Sequence, residues 1–135
     1  MKYKDLIARM KSVRNYKREA LNEDVIKKLK DYSGKSKRLV NDIEIEATIK
    51  NRDEVYDKLK NIAGYNDTML DAPHYLILLS EEKEHYIDNT GYAVEDIRLN
   101  ANELGVSSCW ITLNDGELIK EKLNIKSDKK LTALI

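Results

Sequence analysis

Hydrophobic residues spaced three and four positions apart predict a buried helix over residues 90–104. Asn89 or Thr90 can cap its first turn, and Gly105 can adopt the left-handed conformation that closes a helix. Residues 106–113 mix β-branched, aromatic and small side chains without alternation, as in a strand covered on both faces. We therefore expect this helix and strand to form the core. The positions on the buried helical face are Ala93, Val94, Ile97, Ala101 and Leu104.

Two further segments have the pattern of strands. Residues 43–50 alternate apolar and polar side chains, which predicts a strand at or near a sheet edge with one wet face. Residues 72–79 form an apolar run that starts at Pro73, where a backbone donor is not yet needed, and this run predicts a central strand. A last strand is expected over residues 131–135.

The remaining periodic segments predict helices. They cover residues 3–10, then about 23–32 with Asn22 as the N-cap, then about 53–63 with Gly64 as the C-cap. A last helix over about residues 116–123 follows Asn114 or Asp115 as its cap. The order of elements predicts an α+β fold with helices packed on a central mixed or antiparallel sheet.

Length and composition restrict the class of protein. A chain of 135 residues suits one domain, residues 1–135. It has no apolar run of about 18 residues and no secretory leader pattern, so we expect a cytoplasmic protein with no membrane partner. The single cysteine, Cys109, excludes an intrachain disulfide, and two distant histidines predict no metal site.

The formal charge of zero hides an uneven distribution. Residues 1–40 hold 13 Lys or Arg against 5 Asp or Glu, a balance of +8, and the remaining residues carry −8. Such asymmetry favours an anionic ligand near the N-terminal segment, although solvated lysines on helix faces give the same count. The basic stretch 35–38 has no interleaved aromatic residues for base stacking, so no nucleic-acid partner is expected.

The best local candidate for a binding site lies in the sequence Lys11-Ser12-Val13-Arg14-Asn15-Tyr16. In an extended segment Ser12 and Arg14 point to the same side, where a hydroxyl and a planar guanidinium can hold a phosphate. Alternatively, Lys11 and Arg14 only complement the negative end of the preceding helix dipole.

Three segments together resemble the nitroreductase family of flavoproteins. Residues 11–16 resemble its early basic-Ser-x-basic-x-aromatic motif. The sequence Met69-Leu70-Asp71-Ala72-Pro73-His74-Tyr75-Leu76 is similar to the segment that enters a central strand, and residues 91–111 are similar to the long central helix and the strand after it. The order and separation of the three segments carry the resemblance.

The resemblance implies a homodimer that binds FMN at the subunit interface. It also implies a ping-pong oxidoreductase, in which NAD(P)H reduces the flavin and a nitroaromatic or quinone-like acceptor then replaces the nucleotide. The flavin carries the chemistry, so no catalytic side chain is assigned. Members of the family continue beyond the last predicted strand, so the domain is expected to lack the family's usual C-terminal segment. Apolar residues beyond one stripe of the central helix, such as Tyr92 and Leu99, agree with dimerisation.

The family motifs map onto eight cofactor-binding candidates. The early motif supplies contacts to the phosphate and ribityl end, the loop before Pro73 supplies polar contacts to the ring, and the end of the core strand lies against the ring and offers backbone donors. These residues are Lys11, Ser12 and Arg14, then Asn66 and Thr68, then Ile111, Thr112 and Leu113.

Two other functions remain open from the sequence. The first is a catalytically inactive flavin-binding or dimerising remnant of the same fold, because a site lacking one wall admits water. The second is a small interaction module for an anionic partner such as RNA, which only the basic first segment supports.

Overall fold

The computed structural model describes residues 2–66 and 68–135. Within these residues the helices are α1 (Tyr3–Arg9), α2 (Glu23–Gly34), α3 (Arg52–Leu59), α4 (Tyr86–Glu103) and α5 (Gly116–Lys122). The strands are β1 (Ile45–Asn51), β2 (Ala63–Gly64), β3 (His74–Ser80), β4 (Thr112–Leu113) and β5 (Lys130–Leu134). None of the helices in these two ranges is long and apolar enough to cross a membrane.

The main sheet has the strand order β1-β3-β5, and both pairings are antiparallel. Strand β3 is therefore central and β1 lies at an edge, which confirms both predictions. Along β1 the side chains of Glu46 and Thr48 are exposed, whereas Ile45, Ala47 and Ile49 are half-buried. Strands β2 and β4 form a separate two-stranded antiparallel pair. The predicted α+β fold with an antiparallel sheet is confirmed.

Helices cover both faces of the main sheet. On one face, Leu78 of β3 packs with Val94 and Ile97 of α4. On the other face, Ile77 and its neighbours pack with α3 and α5, where Ile119 is fully buried. Burying one such side chain contributes roughly 2 kcal/mol before the cost of ordering it. The helical stripe that begins at Ala93 is thus a core element, as its spacing predicts.

Local capping signals give the expected starts for two helices. The Asn22 side chain accepts a hydrogen bond from the Asp24 amide at 2.8 Å, and α2 begins directly after it. The Asp115 carboxylate accepts from the Leu118 amide at 3.0 Å and starts α5. The spacing of Leu6, Ile7 and Met10 predicts a buried face on α1, but Leu6 is buried while Ile7 is 60% exposed.

The predicted start of α4 is wrong. The helix begins at Tyr86, after His85 in a left-handed conformation with φ 67°. Asn89 and Thr90 lie inside the helix and are buried instead of capping it. The Asn89 side chain accepts from the Val40 amide at 2.8 Å, so a contact distant in sequence determines its role.

The segment that follows α4 is also less regular than predicted. Gly105 has φ 79°, and Val106 donates to Ala101 O at 2.9 Å, so the helix ends as its sequence indicates. Over residues 106–113, however, only Thr112–Leu113 forms a strand. The stretch is buried at Cys109 and Ile111 without joining the sheet as an inner strand.

Helix α3 ends at Leu59 rather than near residue 63. Gly64 is not its C-cap, because it belongs to β2 and pairs with Thr112. This change moves Ala63 and Gly64 from a predicted helix end into a short strand beside β4.

Candidate functional site

The N-terminal strap, defined as residues 10–22, contains no helix or ladder-forming strand and bends at Arg18 and Glu19. It makes an isolated parallel bridge between Ser12 and Ser108, and the Val13 amide donates to Ser108 O at 3.3 Å. Ser12 and Arg14 are exposed, while Val13 between them is half-buried and lines an internal cavity. The alternation of an extended chain therefore puts the hydroxyl and the guanidinium on the outer side of the strap.

Three neighbouring positions at the start of the strap are free for a ligand. Lys11, Ser12 and Arg14 are exposed. Neither the Lys11 ammonium nor the Ser12 hydroxyl has a hydrogen-bond partner among residues 2–66 and 68–135. Two cations and one hydroxyl within four residues form a donor set suited to a phosphate.

A tight hairpin carries the next two sequence candidates, Asn66 and Thr68. Tyr65 and Thr68 exchange backbone hydrogen bonds of 2.9 and 3.1 Å, and Asn66 occupies the turn with φ 50°. Gly64 before the hairpin has φ 152°, and a Cβ there would lie 2.2 Å from Thr68 O. Only glycine fits this position, because both its backbone conformation and the missing space exclude a side chain. Asn66 and Thr68 are exposed at the hairpin surface.

The strap and the hairpin meet through Arg14 and Tyr65. The Arg14 guanidinium carbon lies 4.1 Å from the centroid of the Tyr65 ring, a cation–π contact. Tyr65 is not among the cofactor-binding residues predicted from the sequence. Its position next to Asn66 places it in the same loop, but its contact with Arg14 depends on the fold.

Strand β4 completes the arrangement. Thr112 pairs with Gly64 and Leu113 pairs with Ala63, so the hairpin and the end of the core segment are adjacent. Thr112 is exposed and Leu113 is half-buried. The exposed residues of these segments form one surface, the candidate strip, which comprises Lys11, Ser12, Arg14, Tyr65, Asn66, Thr68 and Thr112.

Ile111 does not fit the role predicted for it. Its side chain is 5% exposed and belongs to the core, and its amide donates to Leu134 O at 2.8 Å. It therefore packs in the core next to β4, and its backbone N–H is not available to a cofactor ring.

A buried polar network holds the backbone to which the strap is attached. The Arg98 side chain donates to Ser108 Oγ at 2.9 Å and to Glu95 Oε1 at 2.6 Å, and Trp110 Nε1 donates to the same carboxylate oxygen at 2.7 Å. Arg98 is 7% exposed, so this charge is compensated inside the protein. The network fixes Ser108, the bridge partner of Ser12. The helical spacing puts Glu95 on the polar side of α4, so the sequence pattern does not predict this network.

A second set of charges lies under the hairpin. Arg52 donates to Asp71 at 2.6 Å, and Arg18 of the strap lies 3.4 Å from the same carboxylate. The hydrogen bond from Arg52 is the main reason that the pKa of Asp71 is lowered from its usual 3.8. Because both groups are partly exposed, this pair contributes modestly to stability.

A family model described as "Putative TM nitroreductase" matches residues 2–135. No curated protein matches the sequence.

Solved structures with the same fold are similar over almost the whole chain. A nitroreductase family protein from Clostridium novyi NT superposes with a TM-score of 0.81 at 22% identity, covering 99% of this chain and 82% of that one. An FMN-dependent nitroreductase from Clostridium difficile R20291 gives 0.76 at 17% identity, with 96% and 82% covered. A nitroreductase with bound FMN from Bacteroides fragilis NCTC 9343 gives 0.72 at 19% identity, with 99% and 86% covered.

Proposed function

This chain belongs to the nitroreductase family, and from that premise we propose that it is an FMN-dependent oxidoreductase. Its reductant is NAD(P)H and its acceptors are nitroaromatic or quinone-like molecules. FMN, when bound, accepts a hydride and passes electrons to a second substrate, which gives the ping-pong order. Two of the similar structures are of an FMN-dependent nitroreductase and of a nitroreductase with bound FMN, and they support the choice of cofactor.

The observation that carries the proposal is the convergence of three distant segments. Ser12 bridges to Ser108, Arg14 lies over Tyr65, and Gly64 pairs with Thr112. The segments are about 50 residues apart in sequence, yet they form one exposed strip of donors. An anionic, planar cofactor needs charged donors beside a flat backbone surface, and the strip has both features.

Each part of the strip has a distinct task in this proposal. Lys11 and Ser12 bind the phosphate end of FMN, since their donors are exposed and unpaired among the described residues. Arg14 supplies positive charge near the ring, where a fixed cation favours developing negative charge. Asn66 and Thr68 offer polar groups from the hairpin. Thr112 and Leu113 form the backbone surface against which the ring lies, and Ile111 supports that surface from the core.

We also propose that the active form is a homodimer. Ala93 of α4 is fully buried within one subunit, so the apolar stripe of this helix is mostly covered by the chain itself. The large apolar groups that stay exposed include three on α1 and α4, where Ile7 is 60%, Ile87 58% and Tyr92 47% exposed. Side chains of this size on neighbouring helices suit a subunit interface. Sedimentation as a monomer at micromolar concentration would contradict this assembly.

A visible spectrum of the purified protein, before and after FMN is added, tests cofactor binding. We expect flavin absorbance to co-purify or to appear on addition, and NADH or NADPH to bleach it under anaerobic conditions. Addition of a nitroaromatic or quinone should then restore it. Protein that stays colourless with FMN would overturn the proposal. Bound flavin that neither nucleotide bleaches would instead favour the inactive flavin-binding remnant.

Replacement of Arg14 tests the residue assignment. Arg14→Gln removes the guanidinium and should weaken FMN binding by about 10- to 100-fold, the usual effect of losing one charged hydrogen bond. Lys27→Gln removes one exposed charge from α2 and serves as the control, with affinity unchanged. Equal FMN titration curves for the two variants would remove Arg14 from the site.

A further inference from the structure

A cavity of about 650 Å³ lies on the inner side of the N-terminal strap. Its walls are α2, the C-terminal half of α4, the start of β3 and the backbone of residues 104–109. Of the eight residues predicted to bind the cofactor, only Ile111 lines it. Val13 faces the cavity, whereas Ser12 and Arg14 are exposed on the outer side. The cavity and the candidate strip thus lie on opposite sides of the strap.

The walls of the cavity are mainly apolar. The aliphatic lining comes from α2 and α4, and the rings of Tyr16 and Tyr75 contribute the aromatic part. Burial raises the pKa of Tyr16 to about 12, so its hydroxyl stays neutral at physiological pH. The lining residues on the two helices are Val25, Ile26, Leu29, Ile97 and Ala101.

The buried polar groups at the walls already have partners, and the charged lining residues of the strap, Lys17 and Glu19, are exposed to solvent. The Tyr75 hydroxyl accepts from the Ala72 amide at 3.0 Å and donates to Leu70 O at 2.5 Å. Arg98 is bound by Glu95 and Ser108. A charged ligand would therefore lose its hydration without gaining a free counter-charge from these groups. A neutral, apolar ligand has no strong hydration to lose, and its transfer from water to the apolar cavity is favourable.

His74, a half-buried residue of the lining, also has partners at both ring nitrogens. Its Nε2 accepts from the Leu21 amide at 3.0 Å, which requires the proton to be on Nδ1, and Nδ1 lies 3.2 Å from the Asn51 side-chain oxygen. These bonds join the far end of the strap to β3. Between Val13 and Leu21 the strap contacts the rest of the described chain through side chains, in the cation–π contact of Arg14 with Tyr65 and the exposed ion pair of Arg18 with Asp71. The middle of the strap can therefore move without breaking backbone pairing, and this movement would give a ligand access to the cavity.

We propose that this cavity binds a neutral, apolar small molecule, with the strap as its movable wall. Its volume falls within the roughly 300–1,000 Å³ typical of small-molecule sites. The ligand class is set by the satisfied polar groups and the apolar lining, and it does not depend on whether FMN binds to the outer side.

Titration with the neutral fluorescent probe N-phenyl-1-naphthylamine tests the proposal on the whole chain. We expect a saturable fluorescence increase with one probe per chain. Val25→Trp fills the cavity from α2 and should weaken probe binding at least about tenfold. Lys27→Trp puts the same ring on the exposed side of the helix and should leave the affinity within about twofold. Arg14→Gln should have no effect, which distinguishes this site from the candidate strip.

A second measurement avoids relying on a variant that may be destabilised by overpacking. In methyl-labelled wild-type protein, the bound probe should give nuclear Overhauser contacts to Val25 and Ile97 and none to Ile119, which lies on the other face of the sheet. Non-saturable binding, contacts to Ile119 alone, or competition between FMN and the probe for one site would each overturn the proposal.

Discussion

The two sides of the candidate strip are held by different interactions. The hairpin side, residues 63–66 and 68 with 112–113, is fixed by backbone pairing and by the steric demand at Gly64. The strap side is held by single contacts, a 3.3 Å bond at Val13 and a 3.0 Å bond to His74 at Leu21. The hairpin side is therefore rigid, whereas the strap is held in place by a few hydrogen bonds.

The difference matters for both proposed sites, because the strap is a wall of each. A segment with few hydrogen bonds opens locally at a free energy far below that of global unfolding. Ordering the strap therefore costs part of the binding energy of any ligand that contacts it, whereas the hairpin is already in place. Substitutions in the hairpin should affect stability, and substitutions in the strap should affect binding and its pH dependence.

The largest expected effect is that of Gly64→Ala. Its Cβ would lie 2.2 Å from Thr68 O at a backbone φ of 152°, and neither the hairpin nor β4 can move without breaking pairs. We expect a loss of at least about 3 kcal/mol in the free energy of unfolding, measured by urea denaturation.

Gly91→Ala is the matched control for that substitution. Nothing lies within 4 Å of a Cβ at Gly91, which is inside α4. Alanine should stabilise the helix there by about 1 kcal/mol. If the two variants are equally stable, the hairpin is not the rigid side of the comparison.

Much of the fold was predictable where local chemistry decides structure. Strand β1 alternates half-buried and exposed residues from Ile45 to Ile49, and Asn22 and Asp115 cap the helices that follow them. The buried stripe of α4 follows from spacing alone. The three sequence segments chosen for the site do lie together, because the family motif reflects the same topology.

The failures share a cause in contacts between distant residues. Asn89 has the sequence signature of a helix cap, but its side chain accepts a hydrogen bond from the Val40 amide. Gly64 resembles the C-cap of a helix, but it pairs with Thr112 in a strand. Ile111 looks like part of an exposed floor, yet its amide pairs with Leu134. Glu95 and Arg98 resemble surface residues in the sequence of the helix, yet the Glu95 carboxylate accepts hydrogen bonds from both Arg98 and Trp110. No local pattern records these partners.

The second prediction concerns the closure of the strap by His74. Burial, followed by the charge of Lys30, lowers the pKa of His74 below 6.5. The folded state therefore favours the neutral ring, and the unfolded state takes up the proton first. The stabilising contribution is complete above pH 6.5 and is lost as the pH falls from there toward the lower pKa of the folded state. Protonation of Nε2 removes the acceptor for the Leu21 amide.

His74→Gln keeps an acceptor oxygen without a titrating ring. Amide hydrogen exchange at Leu21 should accelerate in the wild type between about pH 7 and 5, by roughly fivefold beyond the intrinsic pH effect, and much less in the variant. His85→Gln, at a residue whose side chain is 62% exposed, should keep the wild-type profile. A wild-type profile in His74→Gln would show that another group controls the strap.

The smallest expected effect is at the contact that joins the two sides. Tyr65→Ala removes the ring under Arg14, and the proposed FMN affinity should fall by about two- to fivefold, the value of an exposed cation–π pair. Tyr65→Phe keeps the ring and should bind FMN as the wild type does. In an Arg14→Gln background, Tyr65→Ala should have no further effect, because the ring acts through the guanidinium. Additive losses in the double variant would mean that Tyr65 touches the ligand directly, and the strap and hairpin would then contribute independently.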